Sequence, residues 1–350
     1  MITSRDADTS PADHHSRLQA IIDEPLPSSL PFQLTFWGDW VYLQSNHAFG
    51  DGTSLSAVAL ALTLNRPEMF DKLTTRLTLS TVVRAMMPFA PRNTGEWLTY
   101  GSGLLRRHLE WSSRKSTPDP SVARNVEAPR PSRVVIGTTI DKGAYQSLNG
   151  LLTGKWSGVS LAALLAAALY RALVAEGVQV SPNGLQMLFD MRRYLPASGN
   201  LSVGNGAKSL FIESDVTDPA SISHEMKKSQ NVKRALPSTV LGAAMSLLPK
   251  SSASIYETAQ SPSERLLTMS IMPRLPHMEH SASIPWHDDH RVTGIGLSDA
   301  VGSISVFAVY GDQTIDLVTA VAETDPDRAA VRRAFDRLTN PSSVLRTDHA

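Results

Sequence analysis

The run at 159–175, VSLAALLAAALYRALVA, is apolar on nearly every helical face and is interrupted by Arg171 and Tyr170. It is too short and too broken to span a bilayer, and a helix without a polar face has to be covered all round. The segment therefore reads as a core helix. Strand candidates lie on either side of it, an apolar one at 133–140 and others at 185–191, 207–215, 266–273, 292–297, 303–310 and 314–321. Helical patterns fall between them, at 142–151, 160–176, 219–236, 239–248 and 325–339. Strands interleaved with helices predict a mixed α/β chain.

Ahead of this block, residues 1–12 carry no periodicity and are expected to be disordered, and 12–22 reads as a short helix. Leu34 and Phe36 alternate with polar neighbours, Gly38-Asp39 supplies a two-residue turn, and Trp40, Tyr42 and Gln44 alternate on the return. Helices are expected at 54–64, 78–89 and 94–110. Residues 112–132 hold four prolines among Ser, Arg, Lys and Asp, the composition of a linker. The lobes are accordingly placed at 1–125 and 126–350.

Charge narrows the partners. The 33 basic and 33 acidic residues cancel, so there is no electrostatic footprint for nucleic acid or an anionic membrane. The absence of cysteine rules out disulfides, thiolate metal sites and a cysteine nucleophile. Residues 1–15 are polar and contain no apolar signal core, so a cytoplasmic location is expected.

One segment points to chemistry. Asn46-His47-Ala48-Phe49-Gly50-Asp51-Gly52 is an H-x-x-x-D-G run directly after the predicted hairpin strand. An imidazole titrates near pH ~6.5, which suits a general base. Gly52 permits close approach or a positive φ behind the carboxylate, and Thr53 or Ser54 can cap the following helix. The plainer reading of a lone histidine at a strand end is a structural one, so the motif gains weight only from a second. That second stretch is Phe189-Asp190-Met191-Arg192-Arg193-Tyr194-Leu195-Pro196, followed by Val203-Gly204-Asn205.

Together, in this order, the two motifs resemble the chloramphenicol-acetyltransferase-like superfamily, in particular condensation domains and their stand-alone acyltransferase relatives. The resemblance implies a two-lobed α/β fold with a tunnel between the lobes and His47 at its middle. It implies that His47 is the catalytic base, that Asp51 points away from substrate and pairs with Arg192, or failing that Arg193, and that the Gly52 amide lies where it can help hold an oxyanion. The implied reaction moves an acyl group from coenzyme A or a carrier-protein thioester to an alcohol or amine of a specialised metabolite. The implied partners are this small-molecule acceptor and a carrier protein, with no tightly bound cofactor and no metal. Asn46 stands where condensation domains usually carry a first histidine, and the D-F-G-W-G segment of plant-type alcohol acyltransferases is absent.

Only 46 residues precede His47, fewer than in the family, so the first lobe is expected to be shortened. Apolar surface beside the hairpin of Trp37, Trp40 and Tyr42 would then favour self-association through that lobe. An alternative of a different class is a non-catalytic condensation-like module that only recruits a carrier protein or an enzyme. A third is a metal-dependent hydrolase built on His277, His280, His287, Asp288, Asp289 and His290. Prolines at 273, 276 and 285 and the lack of a helical H-E-x-x-H favour a solvated loop there instead. No G-x-S-x-G elbow, P-loop or G-x-G-x-x-G is present.

Overall fold

The computed structural model describes residues 2–5, 13–27, 29–45, 51–63, 78–113, 132–195, 206–246, 264–272, 293–295, 303–311 and 313–346. The expected boundary between 125 and 126 lies outside them.

Strands β2 (Phe32–Trp37) and β3 (Trp40–Ser45) make the expected hairpin, closed by Trp37 opposite Trp40. Gly38 has φ +56° in the connection, the first-position conformation of a type II′ turn that glycine adopts without strain. A further strand, β1 (Ile2–Arg5), runs parallel to β2. The sequence predicts disorder here because four residues with one apolar side chain carry no readable period. The strand is made by its ladder and by a Thr3–Thr35 hydroxyl contact of 2.9 Å across it.

A second sheet has six strands: β4 (Arg133–Ile140), β5 (Leu185–Asp190), β6 (Ala207–Ile212), β7 (Leu266–Met272), β8 (Ser303–Tyr310) and β9 (Ile315–Ala322). Their order is β4-β9-β8-β7-β5-β6, with β5–β7 and β7–β8 parallel and the other pairs antiparallel. Alternation sorts the two faces. Ile136, Ile140, Ile304, Val306 and Leu317 face a helical layer, while Val135 and Val318 face the opposite way.

The predicted core helix, α6 (Leu161–Ala175), is the centre of the helical layer, with Ala163 to Tyr170 all buried. Around it pack α5 (Lys142–Thr153), α7 (Pro219–Asn231), α9 (Arg328–Arg337) and α10 (Pro341–Arg346). Ser160 caps α6 through the Ala163 amide, and Gly177 leaves it at φ +85°. Arg171, the one charge on the run, donates to the Thr217 and Leu345 carbonyls. Helix α8 (Ala235–Ser246) follows α7 after Lys233 at φ +56°, so the expected break at 236–239 falls a few residues earlier.

The opposite face of the sheet receives the N-terminal elements. Helix α1 (His14–Ile22) lies against β4, and its Gln19 side chain pairs with that strand's free edge by donating to the Arg133 carbonyl at 2.8 Å and accepting from the Val135 amide at 2.6 Å. Leu18, Ile21, Trp37, Tyr42, Val135 and Val318 form one buried cluster. Trp37 and Tyr42 are thus covered by this chain's own sheet. Helix α2 (Gly52–Thr63) follows β3, while α3 (Leu79–Met86) and α4 (Ala90–Ser113) dock on α8, Trp97 donating its indole N–H to the Val232 carbonyl.

The strand expected at 292–297 is not formed over 293–295. Thr293 hydrogen-bonds Asp316, and a Cβ at Gly294 would lie 2.5 Å from the Phe307 ring, so this segment lies across the sheet face rather than extending the ladder. Among the described residues, no helix is long and apolar enough to cross a membrane.

Candidate functional site

The H-x-x-x-D-G segment joins β3 to α2. Asn46 and His47 lie outside the described residues, but both anchoring ends are described. Asp51 is the cap of α2: its carbonyl accepts the Leu55 amide at 2.9 Å and its Oδ1 accepts the Ser54 amide at 3.1 Å. Ser54 Oγ in turn accepts the Asp51 amide at 3.1 Å, a reciprocal arrangement that fixes where the helix starts. The cap is therefore Asp51 rather than Thr53 or Ser54. An acidic side chain suits a position facing the positive end of the helix dipole.

The other oxygen of Asp51 is committed to the second half of the chain. Arg192 Nη1 donates to Oδ2 at 2.7 Å, and the Gly206 amide donates to the same oxygen at 2.7 Å. Both side chains are buried, 5% exposed for Asp51 and 4% for Arg192. The contact is single-pronged, because Oδ1 is held by the helix cap. Burial alone would raise the Asp51 carboxyl, but the hydrogen bond and charge of Arg192, with the Ser54 and Gly206 amides, outweigh it and hold the group below the usual carboxylate range. Asp51 is a charged structural brace, not a proton donor.

Arg192 is positioned by the turn that ends β5. Residues Met191–Tyr194 form a 3₁₀ turn capped by Asp190, with the Arg192 amide 2.9 Å from Asp190 Oδ1. The guanidinium lies over Gly206, where a Cβ would come within 2.5 Å of Nη1. Arg193 is exposed and takes no part in the brace.

Gly52, the first residue of α2, has helical geometry and no positive φ, so its role is close approach: a Cβ there would lie 2.7 Å from Met272 Cε and 3.6 Å from the Phe307 ring. The start of α2 is thereby pinned between the β5–β6 turn and the β7–β8 strands. His47 is four residues upstream of this brace.

No protein-family model matches the sequence, and no curated protein does. Solved structures do match. The first condensation domain of the CDA synthetase superposes with a TM-score of 0.58 at 14% identity, over 100% of this chain and 76% of that one. The TRI3 trichothecene 15-O-acetyltransferase from Fusarium sporotrichioides gives 0.59 at 13% identity, over 99% and 77%. This chain has the condensation-domain-like fold. VibH, an NRPS condensation enzyme, adds a TM-score of 0.50 at 13% identity over 98% and 78% of the two chains.

Within this condensation-domain-like chain, three of the four residues singled out by sequence, Asp51, Gly52 and Arg192, meet at the start of α2. The fourth, His47, lies outside the described residues, as do His277, His280, His287, Asp288, Asp289 and His290. Sequence reading missed Gly206 and Met272. The G-N-G run at 204–206 was a signal for the first, since its second glycine is the one whose amide and bare Cα the site uses. Nothing local marks Met272.

Proposed function

We propose that this chain is an acyltransferase that moves an acyl group from a coenzyme A or carrier-protein thioester to an alcohol or amine of a small molecule, with His47 as general base. The observation that carries this reading is the buried Asp51–Arg192 ion pair, which braces the end of the H-x-x-x-D-G segment against the six-stranded sheet. Positioned general-base catalysis, an effect of ~10² to 10⁴-fold, needs a fixed base, and the brace lies four residues after His47 in the sequence.

In the proposed reaction, His47 takes the proton of the acceptor O–H or N–H as the oxygen or nitrogen attacks the thioester carbonyl carbon. The tetrahedral oxyanion collapses with cleavage of the C–S bond. The leaving thiolate receives the proton from the imidazolium, which gives an ester or amide and a free thiol and restores neutral His47. Among the described residues, no group takes the Gly52 amide, and its place at the positive end of α2 suits it to the oxyanion. Asp51 and Arg192 are positioning residues, and the lobes of the proposed enzyme are 1–125 and 126–350.

Support for the donor class comes from neighbours of the same fold: TRI101 of F. sporotrichioides was solved with coenzyme A and T-2, and a mutant of the starter condensation domain of rhizomide synthetase with C8-CoA and Leu-SNAC. The test is a panel of acyl-coenzyme A and acyl-pantetheine carrier thioesters, each offered with alcohol and amine acceptors, with product read by mass spectrometry and free thiol by a colorimetric reagent. Acylated product with stoichiometric thiol is expected. Carrier-protein binding without any thiol release would instead identify a recruiting module.

A further inference from the structure

A second polar cluster sits on the same face of the six-stranded sheet as the start of α2, and the proposed transfer does not use it. His14 Nε2 lies 3.0 Å and His15 Nε2 3.1 Å from one and the same oxygen, Asp316 Oδ1. Thr139 Oγ1 reaches that oxygen at 3.1 Å, and Thr293 Oγ1 donates to Oδ2. The three nitrogen and oxygen ligand atoms lie within 4.8 Å of one another.

We propose that His14, His15 and Asp316 bind one zinc-type divalent ion that ties α1 and its hairpin to the six-stranded sheet. Two imidazole nitrogens and one carboxylate oxygen form a ligand set that suits zinc, leaving the fourth place of a tetrahedron to solvent. Bonds of ~2.0–2.1 Å at tetrahedral angles separate ligand atoms by about 3.3 Å, close to the nitrogen–oxygen spacing found here. The geometry is prepared rather than incidental. His15 lies against Gly137 of β4, where a Cβ would meet its ring at 2.3 Å, so a strand position has been left without a side chain to admit the imidazole. His14 stacks on Trp40 with ring centroids 5.5 Å apart and planes 4° from parallel.

The carboxylate is oriented from behind as a metal ligand must be. Asp316 is 4% exposed, and Thr139 and Thr293 hold it from two other segments, the outer-sphere arrangement that fixes ligating carboxylates. An oxygen with two lone pairs faces three polar side chains at 3.0–3.1 Å, and the two imidazoles crowd to a centroid distance of 3.8 Å in reaching it. One cation between the two imidazole nitrogens and this oxygen takes a lone pair from each and leaves Thr139 its hydrogen bond. The placement also matters for the site described above. Thr139, Asp316, Val309 and Met272 are cross-strand neighbours in a single row, and Met272 touches Gly52. Two strand spacings of ~4.8 Å therefore separate the backbone of the ion's carboxylate from the residue that supports α2.

The test is titration calorimetry of the chelator-stripped full chain with zinc chloride, run beside a variant in which His277, His280, His287 and His290 are all changed to Asn. One equivalent of zinc, bound equally by both proteins and not displaced by excess magnesium, is expected. His14→Gln with His15→Gln should remove that equivalent. Thr293→Val, which leaves every ligand in place, should weaken binding by about tenfold and keeps the test decisive if the double variant unfolds. Loss of binding in the four-asparagine variant, unchanged binding in Thr293→Val, or no zinc uptake by the wild-type chain would each overturn the proposal and leave a hydrogen-bonded His14–His15–Asp316 contact only.

Discussion

Removing either half of the Asp51–Arg192 pair strands a charge that is almost fully buried, at a cost of ~3–5 kcal/mol. Asp51→Asn and Arg192→Ala should each lower stability by about that much and slow transfer by displacing the start of α2. Their coupling is measured by a double-mutant cycle in urea, and additive effects would contradict the contact. The pair also sets a pH dependence. Because the native carboxyl is held below its ordinary value, its stabilisation is fully present above pH ~3.9 and is lost as pH falls through the lowered native value. The urea midpoint gap between wild type and Asp51→Asn should therefore be constant from neutrality to about pH 4 and shrink only below it; a gap that closes between pH ~7 and ~5 would contradict this assignment. At Gly206, substitution by Ala places a methyl 2.5 Å from Arg192 Nη1 and 2.6 Å from Cζ. The predicted cost is ~1–3 kcal/mol with a matching fall in activity, checked by thermal melting.

At the scale of elements, local pattern carried what local physics decides. The hairpin turn was legible because Gly38-Asp39 separates two alternating runs, β4 because 133–140 reads as an uninterrupted strand, and α6 because no amphipathic alternative exists for its sequence. What was not legible is made by partners distant in the chain. Strand β1 acquires its character from β2, about thirty residues on, and the 293–295 segment loses the strand character expected of it to Asp316 and Phe307. The pairing of Asp51 with Arg192 across 141 residues came from motif resemblance, not from any period, and the Gly206 amide 155 residues away had no such guide. His14 and His15 were invisible for the same reason, since their partner lies about three hundred residues downstream. Helix α1 should owe much of its docking to Gln19, whose side chain completes the β4 edge; Gln19→Ala is predicted to cost ~1–3 kcal/mol by leaving the Val135 amide unpaired, read as a lower melting temperature.

For the molecule as a whole, the described segments before residue 113 are not free-standing. Helix α1 packs on β4, and α3 and α4 pack on α8, so the N-terminal elements share their core with the later sheet and helices. Trp37 and Trp97 report on the first part and Trp156 on the second, and tryptophan fluorescence and far-ultraviolet circular dichroism should give one coincident urea transition. Two separated transitions would mean that the parts fold independently. In the proposed function, His47 is the one base that acyl transfer requires. Its most direct test is thiol release from an accepted acyl thioester by wild type and His47→Ala, at matched protein concentration and with matched melting temperatures. The variant is expected to keep its fold and lose at least ~10²-fold in rate; a folded His47→Ala protein working within a few-fold of wild type would show that His47 is not the base.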